Sequence, residues 1–182
     1  MNVLFITGSA REGGITAKLC DIVASAMPGA DITFVRPHEM DIRHCSGCGS
    51  CAASGKCTIG DDMHRIYQMV AASDIVILAT PIYFSGPSSI MKQVIDRFQC
   101  VWATGKGKRK DRTAALIAAG GDAAPIFSNA VSIAKAFAVT IGARWAGELK
   151  ASGTDGMKEI PEDLAREARS FGSDIASKHP GA

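Results

Sequence analysis

Near its beginning the chain reads Asn2-Val-Leu-Phe-Ile-Thr7-Gly8-Ser9-Ala10-Arg11-Glu12-Gly13-Gly14-Ile15-Thr16. The apolar run up to Thr7 indicates a short buried strand, and the polar, glycine-rich segment after it indicates a turn. Apolar side chains then recur at helical spacing until Pro28-Gly29 ends the pattern. The segment therefore predicts a strand, a loop and a helix, the unit from which folds with parallel strands are built.

The same alternation continues along the chain. Further apolar runs predict strands at residues 31–35, 75–79, 113–119 and 144–149. Helical stripes follow Asp61-Asp62, Pro87, Pro125 and Pro161, and Gly142 is placed to end the third of these. Five strands alternating with five helices predict one α/β domain over residues 1–182. Its doubly wound, five-stranded parallel sheet has the strand order 2-1-3-4-5 and carries helices on both faces.

The composition and net charge of the chain argue against some classes of function. The chain has 182 residues, of which 47% are hydrophobic, and a formal net charge of only +2. This charge is too small for an obligatory nucleic-acid binder, and the basic run over residues 106–112 is short enough to be a solvated loop. No basic leader precedes the first strand, and no apolar stretch reaches the roughly 18 residues that span a bilayer. We therefore expect a soluble, cytoplasmic protein without a nucleic-acid or membrane partner.

In such sheets ligands bind at the carboxyl ends of the strands, where the order reverses between the first and third strands. The loop at residues 8–16 lies there, and its glycines and free N–H groups favour an anion. It lacks both the Walker A ending and G-x-G-x-x-G. Ser9, Arg11 and Thr16 could instead hold one terminal phosphate. The alternative is an ordinary glycine-rich turn.

A second loop at this edge reads Thr80-Pro81-Ile82-Tyr83-Phe84-Ser85-Gly86-Pro87. Its two aromatic side chains could flank a flat ring, while backbone N–H groups of the same loop reach the heteroatoms of that ring. The alternative is that both aromatic rings are buried in the core.

The third loop, at about residues 36–60, is long and cysteine-rich. Four of the six cysteines fall within it, at Cys45, Cys48, Cys51 and Cys57. Because cytoplasmic thiols are kept reduced, metal binding or redox chemistry explains this run better than a disulfide framework. Cys20 and Cys100 are expected to be core or surface residues, and His38 and His44 to be loop residues.

Three segments together resemble the NADPH-dependent FMN reductase superfamily and, within it, the iron-sulfur flavoproteins. They are Gly8-Ser9-Ala10-Arg11 to Leu19, the Cys-x2-Cys-x2-Cys-x5-Cys run leading into Asp61-Asp62-Met63, and Thr80-Pro81-Ile82-Tyr83-Phe84. The resemblance runs in order over roughly residues 1 to 100. It implies a flavodoxin-like fold, non-covalently bound FMN, and a homodimer or homotetramer.

The resemblance also implies a set of binding residues. Those for the FMN phosphate are Ser9, Arg11, Gly14, Thr16 and Ala17; those bordering the isoalloxazine ring are Pro81, Ile82, Tyr83, Phe84 and Ser85; Gly120 and Gly121 contact the ring or the ribityl chain. The chain departs from the family pattern at Ala10, where proline is common, and at Ile15, where asparagine is common. One polar contact near the phosphate is therefore missing.

For the cysteine run, the resemblance implies a [4Fe-4S] cluster on Cys45, Cys48, Cys51 and Cys57, with glycines in the loop supplying backbone freedom. Two alternatives stay open. The loop could hold free thiols, as in simple flavin reductases. It could instead hold zinc, although zinc prefers two separated Cys-x-x-Cys hooks.

The function expected is that of an FMN-dependent oxidoreductase, which takes electrons from NAD(P)H or a protein donor and passes them to a quinone, a flavin or another acceptor. If the cluster is present, it relays electrons between flavin and acceptor. The chemistry lies on flavin N5, so no side chain is predicted as a catalytic acid or base. Two alternatives remain, an electron carrier with a protein donor and a thiol- or metal-responsive redox regulator.

Overall fold

The structure is a computed structural model and describes residues 1–179. Six strands form one sheet, and they are β1 Asn2–Thr7, β2 Asp31–Val35, β3 Ile75–Tyr83, β4 Gly86–Pro87, β5 Thr113–Ala119 and β6 Arg144–Ala151. Five of them pair in parallel in the order β2-β1-β3-β5-β6, which is the predicted order of the five long strands. The short β4 pairs antiparallel with the end of β3 alone.

Within residues 1–179, seven α-helices accompany these strands. They are α1 Ile15–Ser25, α2 Ser50–Ser54, α3 Met63–Ala72, α4 Ser89–Arg97, α5 Gln99–Thr104, α6 Ser128–Ile141 and α7 Glu162–Ser177, with a 3-10 turn at Pro37–Glu39. The five long helices lie where the apolar stripes predict them. The short helices α2 and α5 were not predicted, because five or six residues carry too little periodicity.

Two predicted helix starts are wrong by a few residues. Pro87 belongs to β4, and α4 begins after Ser88, whose hydroxyl accepts a hydrogen bond from the Met91 amide at 3.2 Å. Serine is a strong N-cap, so it sets the boundary. Similarly, α6 begins at Ser128, three residues after Pro125.

The core lies on both faces of the sheet, because successive side chains of a strand point to opposite sides. Leu4 and Leu78 pack with helices α3, α4 and α6 on one face. Phe5 and Ile77 pack with α1 and α7 on the other. This double burial explains why the strands read as continuous apolar runs.

The basic run at residues 106–112 is not simply a solvated loop. Arg112 is fully buried and donates hydrogen bonds to the carbonyl groups of Ala71, Ser73 and Ile141. These carbonyls lie at the ends of α3 and α6, where a cation complements the helix dipole. Arg112 is thus a structural residue. No helix within residues 1–179 is long and apolar enough to cross a membrane.

Candidate functional site: a loop-lined cavity and a cysteine cavity

A cavity of about 310 Å³ lies at the carboxyl ends of the strands. The loops after β1, β5 and β6 surround it, together with the last residues of β3. Of the predicted binding residues, eight line this cavity: Ser9, Arg11, Gly14, Thr16, Pro81, Ile82, Tyr83 and Gly121. The structure therefore brings together residues from three separate predicted segments.

One end of the cavity is the start of α1. Gly14 precedes this helix, no side chain caps it, and its first turn carries no acidic residue. The N–H groups of a first turn have no partner within the helix, so here they are free for a ligand. Ser9 and Thr16 are buried beside them, and the Ser9 hydroxyl accepts a hydrogen bond from the Arg11 amide at 3.2 Å. Hydroxyl groups, free amides and a guanidinium together suit a phosphate monoester.

The loop after β1 is tied to the start of α4. The Ser88 hydroxyl donates to the Gly8 carbonyl at 2.6 Å, and the Ser88 amide donates to the Thr80 hydroxyl at 3.0 Å. Gly8 has no room for a side chain, since a Cβ there would stand 2.7 Å from both Met91 Cβ and Ser88 Oγ. These contacts fix the β1 loop against the end of β3.

The aromatic loop is a hairpin between β3 and β4. Its two turn residues, Phe84 and Ser85, have φ angles of 49° and 62°, the left-handed backbone of a tight hairpin turn. Tyr83 lines the cavity with half of its surface exposed, whereas Phe84 is fully exposed and neither Phe84 nor Ser85 lines the cavity. The alternative that these two rings belong to the core is therefore wrong.

Two other predicted residues also lie outside the lining. Ala17 borders a neighbouring, smaller pocket. Gly120 uses both of its backbone groups to join loops, because its amide donates to the Ala151 carbonyl and its carbonyl accepts from the Thr154 amide. Ile15, where the family often has asparagine, does line the cavity.

The loop after β6 was not predicted to line the site. Thr154, Asp155, Gly156 and Met157 line the cavity, together with Asp122 from the loop after β5. The Asp155 amide donates to the Gly121 carbonyl at 3.2 Å. The missed signal was topological, since every strand of a parallel sheet ends at the same edge. The polar run Ser152-Gly-Thr-Asp-Gly156 follows the last strand there.

A second cavity, of about 430 Å³, is lined by the four clustered cysteines and by Cys100. Cys100, which was expected to be a core or surface residue, is buried and lies at the wall of this cavity. All six cysteines are free thiols. His38 and His44 do not line the cavity, as expected of loop residues.

The four loop thiols share a cavity, but their positions in this structure are too far apart to coordinate a metal ion together. Among residues 1–179, no three His, Cys, Asp or Glu side chains stand close enough to hold a metal ion. Gly49 and Gly55, which flank α2, both have a φ of 72°, so the backbone turns sharply at each end of this helix. The donor chemistry fits an iron-sulfur cluster, and the loop would have to tighten to hold it.

The thiols differ in acidity. Hydrogen bonds with Ser50, and then with Thr58 and Ser46, lower the pKa of the exposed Cys48 to about 7. Burial raises the pKa of Cys51, and the neighbouring Cys100 adds to this. Cys48 therefore carries the larger thiolate fraction of the two at neutral pH.

A buried ion pair lies where the two ends of the cysteine loop meet. Arg97 at the end of α4 is almost fully buried and donates to the Asp61 carboxylate at 2.6 and 3.0 Å. Burial alone would raise the pKa of Asp61. Hydrogen bonds from Arg97 and from the amides of Arg43 and Met63 outweigh burial and hold this pKa below its ordinary value.

Comparison with known proteins gives the family. The family model of NADPH-dependent FMN reductase matches residues 1–150. The chain belongs to this family. The predicted resemblance to these FMN reductases is thus confirmed.

Several proteins with similar sequences are named iron-sulfur flavoproteins. An iron-sulfur flavoprotein from Archaeoglobus fulgidus is 36% identical over 99 residues, which is 53% of this chain and 45% of that protein. One from Methanosarcina thermophila is 32% identical over 104 residues, covering 53% and 52%. The chain thus matches about half the length of these curated relatives.

Solved structures agree in fold. A flavone reductase superposes with a TM-score of 0.76 at 19% identity, covering 97% of this chain and 62% of that one. A flavodoxin, WrbA-like protein from Agrobacterium tumefaciens gives 0.64 at 18% identity, covering 97% and 95%. These likenesses confirm the predicted flavodoxin-like fold.

Proposed function

We propose that this protein is an FMN-dependent oxidoreductase that takes electrons from NADH or NADPH and passes them to a quinone, a flavin or another acceptor. The observation that carries the proposal is the cavity at the carboxyl ends of the strands, with an uncapped helix start and Arg11 beside it. Membership of the NADPH-dependent FMN reductases supports it.

The residues of the cavity fit FMN. Ser9, Thr16 and the free amides at the start of α1 would take the phosphate, with Arg11 supplying positive charge. Tyr83 and its hairpin would border the isoalloxazine ring, and the loops at Gly121 and Asp155 would close the opposite side. When bound, FMN supplies hydride and single-electron chemistry. The chain binds it, orients it and leaves half of Tyr83 accessible beside it.

We further propose that Cys45, Cys48, Cys51 and Cys57 hold a [4Fe-4S] cluster. All four line one cavity in which no disulfide competes for the thiols of residues 1–179. The names of relatives such as the iron-sulfur flavoprotein of Archaeoglobus fulgidus support this assignment. The cluster would relay single electrons between the flavin and an acceptor.

An electron carrier with a protein donor is the second candidate. It is favoured by the exposed position of Cys48, which puts part of the cysteine cavity at the protein surface. In that case NAD(P)H would not be the source of electrons. The assembly of this chain into a homodimer or homotetramer stays a prediction, which light scattering of the purified protein tests.

Anaerobic purification followed by flavin, iron and sulfide analysis tests both assignments. The reductase predicts one FMN per chain and steady-state oxidation of NADH or NADPH with a quinone, ferricyanide or free FMN. Bound FMN without oxidation of either nucleotide would favour the carrier, and absence of FMN binding would overturn the proposal. A content of about four irons per chain would support the cluster. Cys51→Ala should lose iron binding, whereas Cys20→Ala should keep it, because Cys20 lies in the core.

A further inference from the structure

The two ends of the cysteine loop are held by a single side chain. Arg97 donates from Nη1 to the carbonyl of Arg43 at 2.7 Å, just before Cys45, and makes a longer contact of 3.5 Å from Nη2 to the carbonyl of Ile59, just after Cys57. Both nitrogens also bind Asp61, whose carboxylate accepts from the Arg43 amide at 2.9 Å. Arg97 and Asp61 therefore tie together the points where the loop leaves and returns.

The Nε–H group of this guanidinium has no hydrogen-bond acceptor within residues 1–179. The side chain of Arg97 is only 1% exposed. A buried donor without an acceptor is costly, so it needs an explanation. Arg97 lines the same cavity as the four clustered cysteines. An acceptor that reached Nε from that cavity would satisfy the donor.

The side chains that line the cavity limit which groups could accept a hydrogen bond from Arg97 Nε. The one carboxylate among its lining residues, Asp96, is already paired with Lys92 at 2.7 Å. The remaining side chains that line it are mostly thiols and small residues. A group held there by the thiols would present sulfur, and N–H hydrogen bonds to sulfur are among the contacts that set cluster potentials.

We propose that Arg97 is a positioning residue of the cysteine cavity: it fixes both ends of the loop together with Asp61, and its Nε–H donates a hydrogen bond to a sulfur atom of the bound cluster. This inference rests on the cluster part of the proposed function. The hydrogen bond favours the more negative, reduced cluster and so raises its midpoint potential.

Two variants separate this role from general support of the fold. Arg97→Lys keeps the positive charge but removes Nε–H, so the midpoint potential of the cluster should become more negative. Asp61→Asn keeps Nε–H but leaves the charge of Arg97 uncompensated, so the potential should become more positive. Arg65→Lys, on the exposed side of α3, is the control and should shift nothing. Shifts of the same sign in the first two variants, or no shift in Arg97→Lys, would overturn the proposal.

A measurement on the unchanged protein covers the case in which a variant fails to fold or to take up iron. In protein labelled with ¹⁵N-arginine, pulsed electron paramagnetic resonance of the reduced cluster should detect hyperfine coupling to one arginine nitrogen. Its absence in cluster-loaded protein contradicts the role of Arg97 and leaves the cluster assignment intact. Iron and sulfide analysis of the same sample decides the cluster assignment separately, and the inference falls if no cluster binds.

Discussion

The carboxylate of Asp155 lies directly against Gly121, so that a Cβ on Gly121 would collide with Asp155 Oδ1. The two residues come from the loops after β5 and β6, and the Asp155 amide donates to the Gly121 carbonyl at 3.2 Å. One wall of the proposed flavin site thus depends on the absence of a side chain at position 121.

Gly121→Ala should push the exposed carboxylate of Asp155 away from the cavity wall and weaken FMN binding. Because the displaced group ends a flexible side chain, the cost should lie near the low end of the about 1–3 kcal/mol that is typical of overpacking, which corresponds to a Kd roughly 5-fold higher. Titration of FMN fluorescence measures the effect. Gly60→Ala is the matched control, because a Cβ there meets no atom within 4 Å. Equal affinities for the two variants would contradict this account of the wall.

Arg11→Ala should weaken the binding of FMN but not of riboflavin. Arg11 lines the cavity beside the uncapped start of α1, where it would pair with the phosphate that riboflavin lacks. Hydrogen bonds to charged groups contribute about 1.5–3 kcal/mol, so the Kd for FMN should rise by roughly 10- to 100-fold. Parallel loss of affinity for both flavins would place Arg11 elsewhere in the site, and Arg65→Ala provides the exposed control.

Asp61→Asn should destabilise the protein in a pH-dependent way. Removing one partner of a buried ion pair costs about 3 kcal/mol or more in free energy of unfolding. Because hydrogen bonds from Arg97 hold the folded pKa of Asp61 below its unfolded value, this stabilisation is present at neutral pH. It is lost as the pH falls below about 4 through the folded pKa.

Urea denaturation of the wild type and Asp61→Asn at several pH values measures this loss. The difference between the two proteins should be largest near pH 7 and shrink towards pH 3. Asp96→Asn, which breaks only the exposed pair with Lys92, should change stability by less than about 1 kcal/mol. A difference that is independent of pH would show that Asp61 acts through its shape rather than its charge.

Cys100→Ala should leave iron binding unchanged, whereas Cys57→Ala should abolish it. Cys100 lies at the cavity wall on helix α5, and its thiol donates to the Arg97 carbonyl at 3.6 Å. It is thus held by a helix of the fold, while the other four cysteines lie on the loop that is proposed to hold the cluster. Iron analysis after anaerobic reconstitution distinguishes the variants, and iron loss in Cys100→Ala would make it a ligand.

The sequence pattern predicted the strands and long helices because each carries its own apolar periodicity, which is local information; the strand order came from the arrangements known for doubly wound sheets. The segments at residues 8–16 and 80–87 could be found for the same reason, since each follows a recognisable apolar run. The Asp155 loop was missed because a short polar segment carries no periodic signal. Contacts such as Arg97 with Asp61 join residues 36 positions apart, and no local pattern encodes them.

The two ends of helix α4 contact two different cavities' walls: the loop beside the proposed flavin cavity at one end and the cysteine cavity at the other. Its first residues are tied through Ser88 to the Gly8 loop that borders the proposed flavin cavity, and its last residue, Arg97, lines the cysteine cavity. Its nine residues span about 13 Å at 1.5 Å per residue. The separation between the Ser88 and Arg97 contacts is therefore set by a rigid helix, and it does not depend on the conformation of the cysteine loop.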